Sequence, residues 1–237
     1  ALKKFYKNVI VFDADLGLAN IDVLLGITPK ATLVDVIDGY KKMQEVITDG
    51  PNGIKIIPGG SAMEDVANLK KEDKERLMLE LLNLSFADII LIDTGAGISE
   101  NVTNFVYASS EVIVVTTGEP TAFTDAYAMV KAVYNHNPDA KIYLVVNMIN
   151  SEAEAKEVFN GLNSVTKRFL NREIDYLGFV VRDVNLEYSV LKQKPVLLAY
   201  PGSMVASCIR NLASELYVRG KNLKHNMKKF TEKFFKA

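Results

Sequence analysis

The segment Val9-Ile-Val-Phe-Asp-Ala-Asp-Leu-Gly-Leu-Ala-Asn20 decides how this chain is read. Four apolar residues, Val9 to Phe12, lead without a break into two aspartates two positions apart. An uninterrupted apolar run of this kind reads as a parallel strand covered on both faces. Residues i and i+2 of a strand point the same way, so Asp13 and Asp15 project together if the strand holds through both. Open α/β sheets collect their ligands at the carboxyl ends of parallel strands. A turn needs only one aspartate. Two of them, with Gly17 close behind, point to a site for phosphate and for the waters of a Mg²⁺ ion. The alternative makes Asp15 a turn former and Asp13 a helix cap.

A second strand end repeats the pattern. Asp88-Ile-Ile-Leu-Ile-Asp-Thr-Gly-Ala-Gly97 carries four apolar residues, then Asp93, then a glycine-rich turn. A nucleotide hydrolase holds its metal from such a carboxylate on the strand beside the phosphate loop. On this reading Asp13 and Asp93 hold Mg²⁺ through bound water, and Asp15 orients the water that attacks the γ-phosphate. Thr94-Gly95-Ala96-Gly97 is then a loop whose amides sense that phosphate, or else an ordinary strand-to-helix turn.

One element is missing from the pattern. No Gly-x-x-x-x-Gly-Lys-Ser/Thr occurs in the 237 residues, and Gly59-Gly60 has no Lys-Ser/Thr after it. Such a loop lets backbone N–H groups approach the phosphates and adds a lysine charge and a hydroxyl for Mg²⁺. Ala1-Leu-Lys-Lys-Phe-Tyr6 reads as the last turns of a helix, so a strand and the phosphate loop are expected ahead of Ala1.

Composition narrows the classes. A chain of 237 residues with 49% hydrophobic residues can build one large core. Its single cysteine, Cys208, excludes a disulfide framework and a four-cysteine metal or cluster site, and reads as a small core residue. No apolar stretch reaches membrane-spanning length and no secretory segment opens the chain, so the cytoplasm is the expected compartment. The net charge of −1 is unevenly placed. Seven Lys/Arg and one Glu from Arg219 onward give +6, leaving 21 Lys/Arg and 28 Asp/Glu, or −7, in the body. An acidic body argues against general nucleic-acid binding, and no specific nucleic acid is expected. The basic tail points to an anionic surface.

Nearly continuous apolar runs predict strands at 8–13, 54–58, 88–93, 111–116, 141–147 and 176–181. Helical patterns fill 32–37, 70–84, 99–109, 121–135, 151–170, 185–193 and 203–218, with Pro120 ahead of one helix and Ser99 positioned to cap another. This alternation predicts an α/β fold with a doubly wound, mostly parallel sheet flanked by helices. The body runs over 1–218 and the tail over 219–237. Asn147 ends one strand with a side-chain amide able to pair with an adenine edge, and Val181-Arg182-Asp183 at the next strand end would lie on the other side of the base. In the tail, Leu223, Met227, Phe230 and Phe234 fall on one narrow helical stripe among lysines. That suits an amphipathic helix on anionic lipid; the alternatives are a helix docked on its own body or a partner, or a disordered tail.

The segments now on the page resemble a known family. Phe12-Asp-Ala-Asp-Leu-Gly-Leu-Ala-Asn-Ile-Asp22 resembles the strand-and-switch segment of the MinD/ParA deviant-Walker ATPases. Ile92-Asp-Thr-Gly-Ala-Gly-Ile-Ser99 and Glu119-Pro-Thr-Ala-Phe-Thr-Asp-Ala-Tyr-Ala128 are similar to its flagellar branch, the FlhG (FleN, YlxH) group that regulates flagellar number and placement. The resemblance runs over nearly the whole chain and implies a P-loop NTPase fold of the MinD type. It implies an ATP- and Mg²⁺-dependent homodimer that sits on the inner face of the cell membrane through its C-terminal helix and leaves after hydrolysis. It assigns Asp15 to the hydrolytic water, Asp13 and Asp93 to the Mg²⁺ shell and Asn147 to adenine. The partners it implies are an FlhF-like GTPase, flagellar C-ring components and a flagellar transcription regulator. The family's deviant phosphate loop and the central strand before it are absent from these residues, so the chain as written is expected to lack hydrolysis, and the activity belongs to the full-length protein. Rival readings are a septum-site MinD, a ParA-type partition ATPase, or a non-hydrolytic partner-binding module. The single cysteine excludes iron–sulfur carriers of the same superfamily.

Overall fold

The computed structural model describes residues 1–15, 19–60, 69–220 and 227–235. Gly17 and Leu223, two of the candidate site residues, lie outside them, as do the tail lysines Lys221, Lys224 and Lys236. Contacts divide the chain into two compact units. One is Leu2–Ala108 together with Leu223–Ala237; the other is Ser109–Asn222 with Ala1. A single body over 1–218 with a separate tail was expected. By contacts the units divide after Ala108, each carries its own sheet, and Leu223–Ala237 is grouped with the first.

In the first unit β1 (Val9–Asp13) is flanked by two parallel neighbours, β3 (Lys55–Ile57) and β4 (Ile89–Asp93). β2 (Thr48–Asp49) pairs antiparallel with β3, giving the order β2-β3-β1-β4. The central place of β1 explains its unbroken apolar run: Val9, Ile10 and Phe12 are all buried. Register puts Val11 beside Ile56 and Leu91, and Asp13 beside Asp93. Among the described residues before Ser109, the α-helices of this unit are α1 (Ile21–Leu25), α2 (Leu33–Ile37), α3 (Met43–Val46), α4 (Lys71–Leu82) and α5 (Glu100–Ala108). The backbone N–H of Thr32 donates to Asp35 Oδ2 at 2.7 Å, closing the first turn of α2 and turning Leu33, Val36 and Ile37 into the core. Phe12 meets Phe105 of α5 edge to face at 5.4 Å, which ties strand to helix.

The second unit has an all-parallel sheet of order β5-β6-β7, made of Glu111–Thr116, Lys141–Ile149 and Asp175–Val181. Its helices are α6 (Pro120–His136), α7 (Glu152–Leu170), α8 (Val184–Leu191), α9 (Val196–Ala199) and α10 (Met204–Gly220). Pro120 is the first residue of α6, where its missing N–H costs nothing. Ser151 Oγ accepts from Glu154 N at 3.2 Å and starts α7. Gly178 has φ 148, a conformation that residues with a side chain rarely adopt, and a Cβ there would stand 2.8 Å from Leu212 Cδ2 of α10, which would have to shift. The run in β5 had the look of a strand covered on both faces. It is an outer strand and alternates instead: Val112, Val114 and Thr116 are buried, whereas Ile113 and Val115 are exposed. Among the described residues no helix is long and apolar enough to cross a membrane.

The tail returns to the first unit as α11 (Met227–Phe234) and packs on α4 and α5. Met227 and Phe234 are buried in the core formed by Phe12, Leu77, Leu81 and Phe105, and Phe230 packs against that core partly buried. The Phe234 ring lies 4.6 Å from that of Phe105 and 5.0 Å from that of Phe235. Lys228 and Lys229 face solvent. Of the stripe that was read as facing lipid, Met227 and Phe234 are therefore covered by their own unit and Phe230 is partly covered.

Candidate functional site

Asp13, Asp15 and Asp93 gather at the carboxyl ends of β1 and β4, in the first unit. Adjacent parallel strands and the Asp13–Asp93 register place two carboxylates side by side, and Ala14 N donates to Asp93 O at 2.7 Å to extend the ladder by one residue. Asp13 is buried, and its oxygens turn inward to backbone. Oδ1 accepts from Asp15 N at 3.3 Å, and Oδ2 accepts from Asn20 N and Ile21 N, both at 3.1 Å. The residue expected to hold a metal-bound water is thus the clamp that closes loop 13–21 and caps α1, the local role that was its alternative reading. Burial raises its pKa, as does the charge of Asp15, while the three backbone donors oppose the rise.

Asp15 lies against the second strand end. A Cβ on Gly95 would stand 3.0 Å from Asp15 Oδ1, so the absence of a side chain at 95 leaves room for this carboxylate. Asp93 is exposed, and among the described residues it has no hydrogen-bond partner to its side chain. Burial of part of the group raises its pKa, and the charges of Asp13 and then Asp15 add to the rise. Gly97 has φ 88 and nothing near a Cβ position, and residues 96–100 are exposed. An exposed loop beside a cluster of like charges suits a polyanion only when a cation accompanies it. Among the described residues no three Asp, Glu, His or Cys side chains gather closely enough to hold a metal directly. Asp93, open and proton-attracting, fits Mg²⁺ held through water; Asp13, committed to three N–H donors, fits it less.

The second unit carries the other candidate residues. Asn147 is half-buried near the end of β6, and its Oδ1 accepts from Met148 N at 2.9 Å. One lone pair of its acceptor is spent locally, leaving the amide nitrogen as the group more available to a base. Val181 ends β7, and Arg182 N donates to Ile149 O at 3.0 Å, which fastens the exits of β6 and β7 together. Asp183, expected beside a base, serves as a helix cap. Its Oδ1 accepts from Asn185 N at 2.9 Å, starting α8, and its Oδ2 accepts from Val205 N at 3.2 Å, at the first turn of α10. Those N–H donors hold its pKa below the ordinary value. A cavity of about 370 Å³ opens between the strand exits, lined by the loop Thr117-Gly118-Glu119 and by Met148, Asn150, Glu154 and Arg182. Of these only Arg182 was anticipated as a site residue. The glycine after the strand at Thr117-Gly118 was the available signal for the rest, and it was overshadowed by the glycines after Asp93.

No family model matches the sequence. The chain is 36% identical over 217 residues to the antiactivator FleN of Pseudomonas aeruginosa, covering 91% of this chain and 78% of that protein. It is 35% identical over 216 residues to the flagellum site-determining protein YlxH of Helicobacter pylori, covering 90% and 72%. The septum site-determining protein MinD from Pyrococcus horikoshii, solved with Mg-ADP, superposes with a TM-score of 0.71 at 23% identity, covering 95% of this chain and 88% of that one. The last comparison establishes the fold, an α/β nucleotide-hydrolase fold of the MinD type with a mostly parallel sheet.

Proposed function

The chain belongs to the MinD/ParA ATPase family, in its FleN/YlxH branch, and we propose that it is the switch portion of an ATPase that sets the number and placement of flagella. The observation that carries the chemistry is the convergence of Asp13, Asp15 and Asp93 at two adjacent strand ends, where the fold puts its ligand. Each carboxylate has its own part. Asp15, lodged against Gly95, orients the attacking water and accepts its proton. Asp13 fixes loop 13–21 so that Asp15 keeps its direction. Asp93 would hold Mg²⁺ through bound water, and the ion when bound would supply positive charge against a triphosphate beside three carboxylates. Asn147, Val181 and Arg182 receive the adenine. The ATP-bound form is a homodimer.

Membrane attachment adds a condition. With Met227 and Phe234 buried against α4 and α5, the anchor is available only when α11 leaves its own core. One short amphipathic helix binds lipid weakly, so two helices on a dimer give the useful affinity, and the protein is peripheral on the inner face of the membrane while ATP is bound. Candidate partners follow from the branch: an FlhF-like GTPase, C-ring proteins and a flagellar transcription regulator. Replacing the gene by its Asp15→Ala form and counting flagella per cell by electron microscopy tests the function. A changed number or position is expected; a wild-type pattern with normal protein levels would reject it.

A further inference from the structure

The outer face of α8 is apolar and uncovered. Val184, Tyr188 and Leu191 recur at i, i+4 and i+7, so they share one side of the helix. All three are exposed, at 50%, 49% and 80%, and Leu191 is the most exposed large apolar side chain among the described residues. Ser189, on the other side, is buried. Val190, and Leu198 on the adjoining α9, extend the exposed apolar surface. Glu187 is the one acid of the helix and is exposed beside them.

The end of α8 is closed by its own backbone. Lys192 N donates to Tyr188 O at 3.1 Å, Gln193 N to Val190 O at 2.9 Å and Lys194 N to Ser189 O at 3.0 Å. Gln193 takes φ 50 to make this turn, a left-handed position that usually falls to glycine. Leu191 therefore stands at a tip whose preceding carbonyls are paired, with Lys192 and Lys194 directly after it. Paired backbone approaches an apolar phase at less cost than free N–H and C=O groups. Lys192 Nζ lies 4.9 Å over the Tyr200 ring, so this charge is held at an aromatic surface. Charge selects the occupant. From Tyr188 to Ser214 the chain carries Lys192, Lys194 and Arg210 and no Asp or Glu, within an acidic body. Exposed aliphatic and tyrosine side chains framed by lysines match the boundary of an anionic bilayer. Leucine and valine suit the acyl layer, a tyrosine ring suits the headgroup level, and ammonium groups meet lipid phosphate. We propose that the α8 face, with Leu191 at its tip and Lys192 and Lys194 behind it, is a second lipid-contacting surface. The proposal rests on the membrane-associated reading and adds to the tail helix a contact made by the folded body.

Vesicle co-sedimentation of the protein expressed from its complete gene, with Mg-ATP, tests this. The probes are vesicles of phosphatidylglycerol mixed with phosphatidylethanolamine, and vesicles of phosphatidylcholine alone. Leu191→Ala, and the pair Lys192→Gln with Lys194→Gln, change exposed side chains, so Tm stays at the wild-type value. Each weakens binding to the anionic vesicles about tenfold, one through lost apolar contact and the other through lost charge. The lysine pair leaves binding to phosphatidylcholine unchanged. Sedimentation velocity with ATP and no vesicles runs beside it, and an unaltered self-association is expected. If Leu191→Ala abolishes self-association there, the face belongs to a second copy of the chain and the lipid contact is overturned. Wild-type protein that binds anionic vesicles no better than these variants do rejects the α8 contact alone. Wild-type protein that binds no vesicles at all overturns the membrane reading and the proposal with it.

Discussion

Truncating Phe234 to alanine tests where the tail helix lives. The ring is 4% exposed and sits 4.6 Å from Phe105, 5.0 Å from Phe235 and 5.9 Å from Phe230. Removing a buried phenylalanine costs about 3–5 kcal/mol through lost transfer energy and the cavity left behind. Because α11 ends at this residue, the last turn can settle partly into the gap, which puts the expected cost near the lower limit, about 3 kcal/mol. With a urea m-value of about 2 kcal/mol/M, the midpoint of the first unit falls by about 1.5 M. The chain has no tryptophan, so tyrosine fluorescence and far-UV circular dichroism serve as probes. Phe230→Ala, whose ring is only partly buried, should cost less, and the exposed Lys228→Ala less than about 0.5 kcal/mol. If Phe234→Ala costs under about 1 kcal/mol and matches Phe230→Ala, α11 is not docked in solution and the reasoning fails.

Other substitutions probe the carboxylates. Asp13→Ala strands three backbone N–H groups of loop 13–21 and should lower stability by about 2–4 kcal/mol in the same urea titration, with Asp13→Asn about half as costly because an amide oxygen still accepts; equal stability of both variants with wild type contradicts the clamp. Asp93 has a raised pKa, so the fold favours its protonated form. Its favourable contribution is complete below the unfolded value of about 3.9 and is lost as pH rises through the folded value. Asp93→Asn should therefore raise Tm at about pH 7 and leave it unchanged at about pH 3; a shift of the same size at both would mean that charge repulsion is not the cause.

The strand ends were legible because buried parallel strands leave so plain a mark. Val9–Phe12 and Ile89–Ile92 have no polar residue, and each ends on an aspartate at the edge where the site forms. Division of labour among the aspartates was harder to see. Asp13 differs from Asp15 by which backbone N–H groups come within its reach, and that depends on how the chain folds back from Asn20, seven residues away. Asp183 belongs to the same class, since its second partner is Val205, on another helix. Met148 was invisible as a wall of the cavity because its positive φ follows from a register break between β6 and β7, not from residue type. The tail could be read as amphipathic, with docking on its own body left as an alternative to lipid: a stripe of Met227, Phe230 and Phe234 suits lipid and a protein core equally, and the deciding partner, Phe105, lies more than a hundred residues earlier. In β5 the alternation was concealed because Ile113 and Val115 are as apolar as their buried neighbours.

The most direct test of the account is ATP binding and turnover by Asp15→Ala in the protein expressed from its complete gene. Asp15 carries the hydrolytic step in this account, while the base and metal contacts lie on other residues. The variant should bind ATP with Mg²⁺ within about threefold of wild type and lose at least about a hundredfold in turnover, the usual reach of a positioned base. Hydrolysis at the wild-type rate would contradict the assignment.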